Sequence, residues 1–335
     1  MNLITQSQAI NELHNLNIAA LPTETVYGLF GLGNSEIAVQ KVYAIKNRPA
    51  DNPLICHFWN FAQILEHTVN QPEYLRTIVE QFCPGPITFL LELNPNSDLK
   101  PSTAGQTKIC CRIPDNNTTM EILKQVNIPL FGPSANSSTK VSGTSPEIIF
   151  ADIRHRIAGI VDGGECQIGL ESTIIDCTDP KQIRILRPGA IGKLEIEKIL
   201  NDEEIRVIEN TTSSQPTPGA KYRHYSPRTK VVSIQESLLL TKLSDPQPHT
   251  KYRYILGFNE DLVLISDTYS KISLGSTHNS NQIAHDLFQN LFELDKLGVE
   301  EVYFCFGPAA NNLFHSTNSI DKAITNRLRK VFTEI

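Results

Sequence analysis

Two α/β domains are what this chain predicts, and three observations carry the prediction. Short apolar runs alternate with stretches of helical spacing along most of the 335 residues. That length is about twice the ~150 residues typical of one domain. Hydrophobic residues make up 40% and charged residues 20%, enough apolar material for cores and too little charge for a disordered chain.

Residues 7–16 show helical spacing at Ala9, Ile10, Leu13 and Leu16. A short apolar strand, 18–21, follows and stops at Pro22. The glycines of GLFGLG, 28–33, read as permitting a tight turn. Ser35 caps a helix with apolar positions Ala38, Val39 and Val42. It ends before Pro49, because the residue preceding a proline is pushed out of helical geometry. Lys46 then falls in the last helical turn and Arg48 is extended. Further strands are predicted at 54–58, 87–93, 108–112, 160–162, 172–176 and 183–187, giving a first domain over 1–207. TTSSQPTPGA, polar with two prolines and a glycine, begins a linker over 208–229. The linker runs into KYRHYSP, where Lys221, Tyr222, Arg223, His224 and Tyr225 stand in succession. From 230 to 335 the alternation resumes, with strands at 231–234, 254–256, 263–266 and 302–306, a long helix at 281–297 and a closing helix at 320–332. This predicts a smaller, parallel-sheet domain.

Charge and cysteine usage narrow the function. Lys plus Arg is 30 against 36 Asp plus Glu, a net charge of −6. Bulk phosphate neutralisation is therefore a poor basis for nucleic-acid binding, although a local basic pocket stays open. The seven cysteines form no CxxC pair and sit mostly among aliphatics, as in KICCRI, where a thiol behaves as a small hydrophobe. The first residues carry no basic segment followed by an apolar one, and no run approaches about 18 apolar residues, so a cytoplasmic protein without membrane spans is expected.

The common catalytic signatures are missing: there is no GxxxxGK[ST], GxGxxG, HExxH or GxSxG. Four other segments carry chemistry. LPTETVYGL, 21–29, puts two hydroxyls and a carboxylate at a strand-to-loop edge, where α/β folds bind ligands; the alternative is a helix cap by Thr23 or Thr25. KNRPADNPLICH, 46–57, aims Lys46, Arg48 and the Asn52 amide from a proline-stiffened loop, a grouping suited to phosphate or carboxylate; the alternative is a solvated helix end, where cations favour the dipole. In GPSANSSTKVSG, 132–143, Ser134 and Asn136 point the same way if extended and could meet phosphate oxygens or a hydrated Mg²⁺, unless the stretch is only a flexible loop. DGGECQIGLESTIID, 162–176, leads Glu171, Ser172 and Thr173 into a strand; its glycines allow close approach of a ligand, or serve only a turn.

PTETVYGL, KNRPADNPL, GPSAN, ESTIID, LRPG and KYRHYSP together resemble the YrdC-type family, the L-threonylcarbamoyladenylate synthases, in its longer two-domain form. The resemblance runs from about residue 5 to the C-terminus. It implies a YrdC-like α/β domain with a concave basic cavity, followed by a smaller Rossmann-like domain. It also implies a nucleotidyltransferase that makes threonylcarbamoyl-AMP and pyrophosphate from L-threonine, bicarbonate and ATP with Mg²⁺, for the t⁶A modification of tRNA at position 37. By resemblance Lys46 and Arg48 are catalytic. Arg48, Asn52, Lys108, Ser134, Asn136, Thr144 and Arg187 meet ATP, while Thr25, His57, Arg112, Ser134 and Ser172 meet threonine. Lys221, Tyr222, Arg223 and His224 add to the ATP site as a lid that excludes water. The expected partners are the substrates, the downstream threonylcarbamoyl-transferase machinery and a weak tRNA contact.

The resemblance has gaps. GLFGLG replaces a GLGA-like stretch, and NSSTKVSGTSP is spaced differently from the usual loop, which bears on Ser142, Thr144 and Ser145. Three rival readings make different demands on the sequence. An RNA-binding module using the same basic cavity would show more interleaved aromatic and basic residues. A hydrogenase-maturation relative would carry CxxC pairs. A non-catalytic homologue would have lost Lys46/Arg48 or Ser134/Asn136.

Overall fold

The computed structural model of the chain describes residues 2–200, 204–209, 225–243 and 254–334. Lys221, Tyr222, Arg223 and His224 lie outside the described residues. Contacts divide the chain into two units, one of residues 1–138 and 142–222, the other of 139–141 and 223–335. The short piece 139–141 joins the second unit in part through Ser226, whose N–H donates to the Thr139 carbonyl at 2.8 Å.

The first unit is built on one mixed sheet. Its strands are β1 (Ala19–Leu21), β2 (Gly28–Leu32), β3 (Ile55–His57), β4 (Thr68–Val69), β5 (Ile87–Leu93), β6 (Lys108–Arg112), β7 (Leu130–Phe131), β8 (Gly159–Ile160), β9 (Thr173–Asp179), β10 (Gln182–Arg187) and β11 (Arg206–Glu209). They lie in the order β11-β10-β9-β5-β6-β3-β7-β2-β1-β8, with β4 added beside β5. Strand periodicity of two sorts their side chains onto two faces. Cys56, Ile87, Phe89, Leu91, Ile109, Cys111, Ile175 and Cys177 enter the main core with residues of helices Glu36–Lys46 and Tyr74–Phe82. The alternate positions form only a small apolar cluster of Ile55, Leu90, Cys110, Ile174 and Leu186. On that same face, two residues further along their strands, come His57, Thr88, Lys108, Arg112, Ser172 and Asp176. This polar face is where a site can be built.

Local chemistry explains the edges of these elements. Ser35 accepts a hydrogen bond from the Ala38 N–H at the start of helix Glu36–Lys46, and Asn47 at φ +50° ends it. GLFGLG is strand β2 rather than a tight turn. A Cβ on Gly31 would stand 2.5 Å from the Phe131 ring, so this glycine lets β2 lie close against β7. A strand, not a helix, follows PTET, which removes the helix-cap alternative for Thr23 and Thr25. All seven cysteines are free thiols. Burial pushes the Cys56 and Cys110 thiols up to about 12, which keeps them protonated and inert.

The second unit is a five-stranded parallel sheet of β12 (Lys230–Gln235), β13 (Tyr254–Gly257), β14 (Ser270–Ser273), β15 (Glu301–Phe306) and β16 (Phe332–Glu334). Their order is β14-β13-β15-β12-β16, and every pair is parallel. The strand expected at 263–266 is not formed. The Asp261 carboxylate accepts from the Ala309 and Ala310 N–H groups, both at 2.8 Å, and fixes a helical turn at Asn259–Leu262. The apolar run after it therefore leaves the turn irregularly, with Val263 75% exposed, and the strand forms later as β14. Tyr225, at φ +68°, stacks on Phe288 with 5.3 Å between ring centroids, and Arg327 and Lys330 approach the same ring. Among the described residues no helix is long and apolar enough to cross a membrane.

Candidate functional site

The four segments picked out by their chemistry are stitched together by residues of the first unit. Tyr27 joins its segment to two of the others through four hydrogen bonds. Its N–H donates to the Gly143 carbonyl and its carbonyl accepts from the Ala135 N–H, both at 2.8 Å. Its hydroxyl donates to the Gly164 carbonyl at 2.8 Å and accepts from the Gly163 N–H at 2.9 Å. PTETVYGL is thus tied to the loop after β7 and to the glycine-rich loop before β9. Thr23 Oγ1 shapes the start of this segment, donating to the Val26 carbonyl at 2.6 Å and sharing a 2.8 Å contact with Thr25 Oγ1.

Lys46 makes the next joint. At 2% exposure, its ammonium donates to the Ser134 carbonyl at 2.5 Å and the Asn136 carbonyl at 2.6 Å. Burial first, then Arg48, pulls the Lys46 pKa well below the usual lysine range. Arg48 is half-buried and folds back on its own loop, Nη2 donating to the Pro53 carbonyl at 3.0 Å. Asn52 is 2% exposed, and both of its amide atoms lack hydrogen-bond partners. Ser142 Oγ donates to Glu171 Oε1 at 2.5 Å, which ties the serine-rich loop to the ESTIID segment.

The polar sheet face supplies the floor. β3 and β6 run parallel with His57 opposite Arg112. Burial and the neighbouring Arg112 hold the His57 imidazole well below its usual range, so it is neutral, and its Nδ1 has no partner. Ser172 Oγ contacts Thr88 Oγ1 at 2.8 Å, and Arg187 Nη2 donates to Ser172 Oγ at 3.1 Å. Lys108 lies further along, donating to Thr178 at 3.0 Å with Asp176 3.7 Å away. Thr144 is buried, and its carbonyl accepts from the Cys166 N–H.

Sequence reasoning did not place Glu24 among the site residues. Its carboxylate is 3% exposed, with Oε1 2.7 Å from Arg112 Nη2. That is hydrogen-bond distance, yet the approach is off-axis. Both Glu24 oxygens, like Arg112 Nε and Nη2, make no hydrogen bond. The charged residue inside PTET, next to two hydroxyls, was the signal that could have found it. Buried polar atoms without partners are rare in folded proteins and call for an explanation. In this unit Glu24, Asn52, His57 and Arg112 carry them on the converging segments or the polar face, and Ser145 carries one just past the serine-rich segment. A polar, multiply charged ligand would satisfy them.

Known proteins match both parts of the chain. Residues 11–189 match the Sua5–YciO–YrdC family, described as "Telomere recombination", and residues 191–331 match the "Threonylcarbamoyl-AMP synthase, C-terminal domain". The chain is 38% identical over 327 residues to a threonylcarbamoyl-AMP synthase of Bacillus subtilis, covering 97% of this chain and 92% of the relative. It is 34% identical to one from Pyrococcus abyssi, covering 93% and 89%. The structure of P. abyssi Sua5 complexed with L-threonine superposes with a TM-score of 0.82 at 30% identity, covering 98% of this chain and 96% of that one.

Proposed function

The chain belongs to the Sua5–YciO–YrdC family in its two-domain form, and from that premise we propose that it is a nucleotidyltransferase making threonylcarbamoyl-AMP and pyrophosphate from L-threonine, bicarbonate and ATP, for t⁶A modification of tRNA. The observation that carries the reading is the convergence of four distant segments on one polar sheet face, with buried donors and acceptors left unpartnered there.

The reaction joins the threonine nitrogen to the carbon of bicarbonate with loss of water. A carbamate oxygen then attacks the α-phosphorus, and pyrophosphate leaves. Three anionic groups must share one pocket, so fixed cations and oriented dipoles are what catalysis needs. Arg48, Lys108 and Arg187 are the cations assigned to the nucleotide, with Asn52, Ser134, Asn136 and Thr144 along it. Thr25, His57, Arg112 and Ser172 are assigned to threonine, where a neutral His57 can accept or donate without adding charge. Lys46 acts by holding the carbonyls of Ser134 and Asn136, which sets the loop that meets the phosphates. Magnesium, when bound, offsets triphosphate charge and orients the leaving group. Ser142 and Glu171 are oxygen donors of the class that suits it or its waters.

The experiment is pyrophosphate release with ATP, Mg²⁺ and bicarbonate, comparing L-threonine, L-serine and no amino acid. Release that depends on L-threonine is expected. Release indifferent to the amino acid, or none, overturns the reading.

A further inference from the structure

Among the described residues of the first unit, Glu24 and Arg112 are a buried anion and a buried cation that meet with hydrogen-bonding capacity left over on both. Glu24 is 3% and Arg112 4% exposed, so bulk solvent does little to screen either charge. Their 2.7 Å contact is off-axis and leaves both Glu24 oxygens, Arg112 Nε and Arg112 Nη2 without hydrogen bonds. Desolvating two charges is costly unless hydrogen bonds complete both. The fold nevertheless fixes the pair from both sides. Glu24 is held by its own carbonyl, which accepts from the Ile168 N–H at 2.8 Å, and Arg112 is held by its place in β6 beside His57. A ligand that completes it must present a cationic donor to the carboxylate and an anionic acceptor to the guanidinium, close together. The head of an α-amino acid does so, since its ammonium and carboxylate are attached to one carbon.

We propose that Glu24 is the receptor for the α-ammonium group of the amino-acid substrate, set against Arg112 as the receptor for its carboxylate. The two residues form a charge-reversed image of the zwitterion, so the site selects for the amine before any chemistry occurs. This deepens the family reading and rests on it.

The test is equilibrium binding of L-threonine and of 3-hydroxybutanoate, which is threonine without its amine, to the full chain and to Glu24→Gln. Wild type should prefer threonine by at least about 10-fold, the worth of a hydrogen bond to a charged group. Glu24→Gln should weaken threonine by about 10–150-fold. The same change should leave 3-hydroxybutanoate unchanged or bind it more tightly, because Arg112 loses a competing anion. Equal weakening of both ligands would mean that Glu24 only positions Arg112, and no change in either would mean that it does nothing here; each result overturns the proposal. If Glu24→Gln does not fold, the wild-type comparison still decides, since equal affinity for the two ligands also overturns it. Threonine-dependent pyrophosphate release by wild type, measured in parallel, reports on the family reading separately.

Discussion

His57 shows how one buried side chain ties stability to pH. Its imidazole is 2% exposed, and burial, followed by Arg112, holds its pKa well below the usual histidine range. In the unfolded chain the same ring protonates near pH 6.5. Below that pH the unfolded state binds more protons than the folded one, so stability falls as the pH drops and is unaffected above it. The slope from this residue approaches about 1.4 kcal/mol per pH unit. Replacing His57→Asn should flatten the acid side of a denaturation series from pH 7 to 5, and an unchanged slope would show that other groups control it. At this scale the sequence was legible for residue type and silent on role. Arg112 was expected to meet threonine, but a buried glutamate 2.7 Å from it could not be read from spacing. The resemblance made Lys46 catalytic but gave no sign that its ammonium lies on two backbone carbonyls.

Helix Glu36–Lys46 delivers two cations with different duties. Lys46 braces the loop after β7, whereas Arg48 folds back to donate to the Asn52 and Pro53 carbonyls of its own turn-rich loop. Lys46→Met should leave two buried carbonyls unpaired and lower stability by about 2–4 kcal/mol, together with activity. Arg48→Ala should abolish pyrophosphate release with little change in melting temperature. Thermal melts beside the release assay separate the two, and a large loss of stability in Arg48→Ala would make that residue structural. The elements themselves were legible where caps and periodicity agreed, as in this helix with its Ser35 cap and in β5 and β6. They were misread where a fit with distant chain decided the outcome. GLFGLG became a strand because Gly31 faces Phe131, and 263–266 failed to become one because Asp261 fixed the turn before it.

Across the whole chain, the α/β alternation and the parallel character of the second sheet were visible in the pattern of apolar runs. Membership of residues 139–141 in the second unit was not, since nothing local in the serine-rich loop signals a contact with Ser226. The second unit also has a keystone. Asp261 is 1% exposed and receives two backbone N–H groups, so Asp261→Ala should cost about 3 kcal/mol and lower the melting temperature measured by circular dichroism. Gly307 fits that keystone tightly, because a Cβ there would stand 2.4 Å from Asp261 Oδ1. In open parallel sheets the carboxyl ends of the strands are where cofactor phosphates usually settle against a helix start. Here the chain has furnished its own negative guest at the end of β15, and a visiting phosphate would have to evict it. A nucleotide-fold silhouette has become, at that corner, a self-sealed scaffold.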